Sequence, residues 1–280
     1  MSVHQESSFT NKHGAEIYTQ TWLPTEHKAN VIIAHGLGEH STRYSHVADF
    51  LTEKGLAVFA LDHQGHGNSK GKRGYVPEFM DFVADIEQLR VETQELQAGK
   101  PLILYGHSMG GLISFLYLLK YQKNIDAAIL SAPPVGIKMP PPAWQKKLLG
   151  MLETLAPSLT LNNNIDAAWL SHDQEIVQAY RDDPLVHPKI SVSLFQGMAK
   201  GGRRCLEESN TIVKPTLFVI GGDDKIIDYD AGHAAFENIQ NDQKKEIVFA
   251  GDYHEVHNEL DKQKLFDAIW EWVNDLFQIS

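Results

Sequence analysis

A chain of 280 residues, 42% apolar and 22% charged, has room for one large α/β domain carrying an inserted piece, and it needs neither disulfides nor metals to fold. Its formal charge of −11 at pH 7 argues against nucleic acid as a partner, and the single cysteine, Cys205, excludes an internal disulfide. The start MSVHQESSFTNK lacks the basic region and apolar run of a secretory signal, and no run of about 18 apolar residues occurs, so a cytoplasmic protein is expected.

Taken in order, EIYTQTWL (16–23) alternates like a solvent-flanked strand. VIIAHG (31–36) follows as a buried strand that runs into HGLGEH. Its Gly36 and Gly38 let backbone approach a ligand closely, and the Leu37 amide is the expected oxyanion donor, since such a donor works whatever its side chain. His35 is assigned to bracing this turn. After a helix near 44–54 comes GLAVFALD (55–62), whose sequel DHQGHGNSKG reads as a turn built on Asp62, Gly65, His66 and Gly67. A helix near 79–98 precedes the strand PLILYG (101–106), and a helix over 109–121 follows it. Between these two lies GHSMGG, which fits G-x-S-x-G. Ser108 is thereby placed on a strand-to-helix turn with its hydroxyl above the sheet, and the Met109 amide at the helix N-terminus becomes the second oxyanion donor.

The strand DAAILSAP (126–133) ends the first run of alternation. From about 135 to 212 no clear strand is legible, and this stretch is expected to be a helical cap inserted between core segments 1–134 and 213–280. Trp144, Leu148, Met151, Leu152 and Leu155 recur there at helical spacing, with Lys146 and Lys147 off the stripe. Such a stripe ordinarily forms core, so burial within the cap is expected. The other reading is a greasy face that touches a membrane or micelle, with Met139–Trp144 and its three prolines as a rigid lead-in.

Alternation resumes with PTLFVIGG (215–222), a helix near 230–240, EIVFAG (246–251) and a final helix at 261–277. Strands alternating with helices imply a mostly parallel sheet covered on both faces, with ligands at the carboxyl ends of the strands. A serine nucleophile needs a base and an orienting carboxylate, in the order Ser, acid, His. Asp223, Asp224 and Asp228 follow one late strand, and spacing leaves Asp223 and Asp224 even. His254 follows the next strand as the expected base. His257 is expected to start the last helix in a solvated or capping role, and His233 to be structural. His63 and His66 lack the company of a metal motif, and HGLGEH lacks dinucleotide spacing, so no metal or cofactor is expected.

HGLGEHSTRY (35–44), DHQGHGNSKG (62–71), GHSMGG (106–111), SAP (131–133), GGDDK (221–225) and GDYHEVHNE (251–259) together resemble the monoacylglycerol lipase and lysophospholipase branch of the α/β-hydrolases, in order along nearly the whole chain. The resemblance implies an α/β-hydrolase fold with Ser108, Asp224 and His254 as nucleophile, acid and base. It chooses Asp224 over Asp223 because the family acid precedes a basic residue, here Lys225. It implies Leu37 and Met109 as oxyanion amides, and AYRDDPLVHP (179–188) implies Tyr180 near the glycerol end of the site. His107 becomes a candidate for contacting the leaving alcohol.

The expected substrate is a small lipid ester, with monoacylglycerol first and a lysophospholipid or simple carboxylic ester as alternatives. Epoxide hydrolases and dehalogenases need a carboxylate at position 108. A perhydrolase shares the triad, whereas a non-catalytic binding protein on this fold usually lacks one of its members.

Overall fold

The computed structural model describes residues 2–97, 99–138 and 142–279. In chain order its elements are β1 (Ser2–Thr10), β2 (Glu16–Pro24), β3 (Ala29–Ala34), α1 (Ser45–Glu53), β4 (Leu56–Leu61), α2 (Met80–Glu92), α3 (Gln94–Gln97), β5 (Leu102–His107), α4 (Met109–Tyr121) and β6 (Ala127–Ser131). There follow α5 (Ala143–Leu155), β7 (Thr160–Asn162), α6 (Gln174–Asp182), β8 (Lys189–Ser191), α7 (Val192–Glu208), β9 (Thr216–Gly221), α8 (Tyr229–Glu237), β10 (Lys245–Phe249) and α9 (Gln263–Phe277).

Eight strands make one sheet in the order β1-β2-β4-β3-β5-β6-β9-β10. β1 and β2 enter antiparallel, and every later neighbour pair is parallel. The parallel strands β3, β4, β5, β6 and β9 are buried on both faces, which is why they read as continuous apolar runs rather than alternating ones. Period-two geometry sends Val31 and Ile33 toward a core with Leu51 of α1 and Phe266, Ile269 and Trp272 of α9. Ile32 and Ala34 face the opposite core, where Phe82 of α2, Phe115 of α4 and Phe236 of α8 pack. Helices therefore cover both faces, as the α/β-hydrolase fold requires. Truncating one such side chain, for example Phe59→Ala, costs about 3–5 kcal/mol.

Three sequence expectations need correction. β1 was not anticipated, because its side chains are exposed on nearly every position and leave no hydrophobic period; it is held mainly by pairing with β2 along nine residues. The 135–212 stretch is mainly helical but also contains a small antiparallel pair, β7 with β8, whose three-residue strands are too short to show a pattern. The stripe on α5 is not core. Trp144, Leu148, Met151 and Leu155 are 66%, 44%, 54% and 79% exposed, and only Leu152 of the five is half-covered. Half of the Met139–Trp144 lead-in, residues 139–141, lies outside the described residues, as does the Lys146 side chain.

Candidate active site

The carboxyl ends of β3, β5, β9 and β10 deliver the candidate residues to one place. Ser108 is the single residue between β5 and α4, with φ 52° and ψ −122°. That left-handed backbone costs a non-glycine residue about 1–3 kcal/mol, and Ser108 is locked there by its amide donating to Ser131 O at 2.8 Å. The turn is possible because a Cβ on Gly106 would lie 2.1 Å from Gly110 O, and one on Gly110 only 2.0 Å from Ala34 O. Helix α4 thus starts in contact with the end of β3, and its first amide is that of Met109.

From Ser108 an unbroken chain of hydrogen bonds runs inward. Ser108 Oγ lies 2.9 Å from His254 Nε2, and His254 Nδ1 lies 2.7 Å from Asp224 Oδ2. The other carboxylate oxygen, Asp224 Oδ1, accepts from the amides of Ile226 at 2.7 Å and Ile227 at 3.0 Å, so only Oδ2 faces the ring. An acceptor on Nδ1 fixes the proton there and leaves Nε2 as the lone pair facing the serine. Burial alone would push the Asp224 carboxyl up, but His254 and the two amides hold it below the usual carboxylate range. Burial likewise disfavours a charged His254, yet the adjacent Asp224 outweighs it and raises the ring above an ordinary histidine. Asp223 is exposed, and Asp228 caps α8 by accepting from the Asp230 amide.

The loop after β3 approaches from the opposite side. A Cβ on Gly36 would stand 3.2 Å from Ser108 Cβ, so the backbone leading into Leu37 lies against Ser108. Glu39 Oε1 accepts from the Gly36 amide at 2.6 Å and from the Tyr44 hydroxyl at 2.7 Å, which fixes that backbone. Gly38 has φ 78°, and a Cβ there would meet His187 O at 2.3 Å. The His187 amide donates to Gly38 O at 2.8 Å, and His40 Nε2 donates to Asp183 Oδ2 at 2.8 Å. Residues 183–187 therefore clamp this loop from above. His35 braces it as expected: buried, it donates from Nδ1 to Gly36 O at 2.7 Å and accepts the His63 amide on Nε2 at 2.9 Å. Asp62 builds its turn by accepting from the amides of Ser41 and Asn68.

Beneath the chain sits a buried ionic cluster that the sequence reading did not assign. Arg43 is ion-paired to Glu39 and holds Glu255 with two bonds of 2.8 Å and 2.7 Å. Burial opposes both charges, but Arg43 draws the Glu255 carboxyl down to about 2. Tyr180 lies with its ring 4.8 Å from the Arg43 guanidinium, so α6 does reach the site. The sequence signals were the Glu39–Arg43 spacing of four and an acid directly after His254, both quoted in motifs but given no role. His257 departs from expectation: it sits in the short turn Val256–Asn258, fully buried and stacked on Tyr44 at 4.9 Å, and burial pushes its pKa down to about 3. His107, the expected contact for the leaving alcohol, is buried behind the His254 ring. It is 1% exposed, 3.1 Å from Ser131 Oγ, and packs 4.8 Å from the His254 ring. His233 is structural, bound to Glu246.

Residues 25–261 match the family described as Hydrolase_4, serine aminopeptidase S33. The chain is 33% identical over 274 residues to a monoacylglycerol lipase of Mycolicibacterium smegmatis, covering 97% of this chain and 98% of that one. It is 32% identical over 270 residues to the human monoglyceride lipase, covering 94% and 88%. The crystal structure of a Paleococcus ferrophilus monoacylglycerol lipase superposes with a TM-score of 0.86 at 31% identity, covering 95% of this chain and all of that one. Among the described residues no helix is long and apolar enough to cross a membrane.

Proposed function

The chain belongs to the Hydrolase_4, serine aminopeptidase S33, family of α/β-hydrolases and is a carboxylic ester hydrolase; from that premise we propose that it cleaves monoacylglycerols to fatty acid and glycerol through an acyl-enzyme on Ser108. The observation that carries this reading is the Ser108–His254–Asp224 chain, with both links in hydrogen-bond geometry. His254 Nε2 takes the Ser108 proton as Oγ attacks the ester carbonyl, and the Leu37 and Met109 amides receive the charge on the carbonyl oxygen. The C–O bond then breaks, and the leaving alkoxide takes its proton from His254. Water, deprotonated by the same ring, attacks the acyl-enzyme and releases the acid, restoring Ser108. Asp224 stays ionised throughout and stabilises the charged ring.

Residues 135–212 act as a cap in this reading, giving the site a polar end and an apolar entrance. Tyr180, Arg43 and Glu39 supply polarity suited to a diol, and the exposed α5 face supplies a contact for lipid or micelle surfaces. His107 backs the base ring rather than touching substrate. The names of the relatives support an ester over the amide of the family description.

Ser108→Ala is expected to abolish hydrolysis of both p-nitrophenyl butyrate and 1-monooleoylglycerol, and a fluorophosphonate probe to label wild type at Ser108 alone. Full activity in the variant would overturn the mechanism. Faster turnover of lysophosphatidylcholine than of monooleoylglycerol would move the substrate assignment to lysophospholipids.

A further inference from the structure

The base does not stand on the core alone. Two stretches, Trp169–His172 from the segment between β6 and β9 and Tyr253–Glu259 after β10, run beside each other. The His254 amide donates to Trp169 O at 3.3 Å, and the Glu255 amide to Leu170 O at 2.8 Å. Ser171 Oγ lies 2.8 Å from Asn258 O. The His172 ring stacks on the Tyr253 ring at 3.7 Å, and the Tyr253 hydroxyl accepts from Lys225, the residue after Asp224, at 2.9 Å. One carboxylate gathers this junction. Glu259, 2% exposed, accepts on Oε1 from the Tyr253 amide at 2.8 Å and from His172 Nδ1 at 3.0 Å. Its Oε2 accepts from the His172 amide at 3.0 Å and lies 3.2 Å from Ser171 Oγ.

We propose that Glu259 is a positioning residue for the reaction: its carboxylate staples Ser171 and His172 to the base loop and so fixes His254 between Asp224 and Ser108. The physical case is one of pre-organisation. The Tyr253 amide that Glu259 fixes is the one immediately before His254, so that bond holds the backbone from which the ring projects toward Asp224 and Ser108. His254 must hold two hydrogen bonds at once, and a misplacement of about 1 Å in such a site costs of order 10²-fold in rate. A buried carboxylate with several donors is also hard to replace: deleting it strands the Tyr253 and His172 amides without their acceptor. The inference rests on His254 being the base.

The test uses Glu259→Gln, Glu259→Ala and Glu259→Asp in the full chain, assayed on p-nitrophenyl acetate, which is too small to need the cap. The Gln and Ala variants are expected to lose about 10- to 100-fold in kcat with KM within about two-fold, and Asp to recover part of the loss. Fluorophosphonate labelling of Ser108 is expected to slow in parallel. The acid limb of kcat/KM is expected to move to lower pH, because a slipped ring loses part of the Asp224 contact that raises its pKa. Should Glu259→Ala fail to fold, His172→Ala removes one donor from the exposed side and is expected to give the same shift in smaller measure. Wild-type kcat and an unmoved pH profile in folded Glu259→Gln would overturn the proposal. No labelling of Ser108 in wild type would instead overturn the triad reading, and this proposal with it.

Discussion

Two adjacent aspartates, 223 and 224, show how much one residue of register decides. They are chemically the same and share a loop, yet one is exposed and the other is buried against His254 with two amides on its second oxygen. Asp224→Asn is expected to lower kcat by roughly 10³–10⁴, since the amide no longer fixes the ring tautomer, while Asp223→Asn stays within about two-fold. The reverse ranking in steady-state rates would displace the acid by one position. In the proposed mechanism His254 must be neutral to accept a proton, so kcat/KM is expected to rise with pH through the His254 pKa. Because Asp224 lifts that pKa above 6.5, the acid limb is expected above the value of a free imidazole, and Asp224→Asn should carry it downward in a pH–rate profile. Spacing could not separate these aspartates, because both follow the same strand and only the three-dimensional turn at Gly221–Ile227 distinguishes them. The motif around Ser108 was legible for the opposite reason: its glycines are demanded by local sterics, which sequence records directly.

At the scale of elements, the parallel strands and α4 were legible because burial on both faces leaves an unbroken apolar run. α5 shows the limit of the same logic. Its spacing has the period of an amphipathic helix, but period says only that one face is apolar, not that protein covers it. Leaving Trp144, Leu148, Met151 and Leu155 partly exposed together forgoes a share of the roughly 1.5–3 kcal/mol that full burial of such a side chain contributes, a share that a lipid surface would restore. Trp144→Ser with Leu148→Ser is therefore expected to lower the rate on monooleoylglycerol in vesicles by about ten-fold while leaving monomeric p-nitrophenyl acetate unchanged. An equal effect on both substrates, read in parallel assays, would mean that α5 serves the fold and not the interface. The clamps from residues 169–172 and 183–187 escaped the sequence reading, since they are backbone and side-chain contacts between segments far apart in the chain, which no local spacing records.

For the whole molecule, the unusual feature is its store of buried neutral imidazoles. Burial lowers the pKa of His35, His63, His66, His107 and His257, to about 3 for His35 and His257. In the unfolded chain each binds a proton near pH 6.5, so the folded state binds fewer protons below that value and loses stability as pH falls. The loss is about 1.4 kcal/mol per pH unit for each such group while pH lies between the two pKa values. Asp85 acts the other way: burial raises it to about 7, so it favours the fold progressively as pH falls from 7 toward 3.8 and offsets roughly one histidine. Against a total stability of about 5–15 kcal/mol, these histidines predict a melting temperature that falls as pH drops below about 6.5. Melting temperatures from pH 8 to pH 4.5 would check this, and a flat profile would contradict it. His63→Phe, between the His35 and Phe82 rings, should reduce the slope by about one proton.

The backbone at Ser108 sets a final trade. A residue held at φ 52° is one that folding would rather give to glycine, so the position proposed as the nucleophile is also a place where the protein opposes its own stability. Ser108→Gly should therefore yield a protein with no hydrolytic activity that melts higher than wild type. Relief of about 1–3 kcal/mol, less the 0.5–1 kcal/mol of extra freedom glycine gives the unfolded chain, corresponds to a gain of a few degrees. Selection for thermal robustness alone would drift toward that dead form, and a serine retained there marks a position governed by turnover.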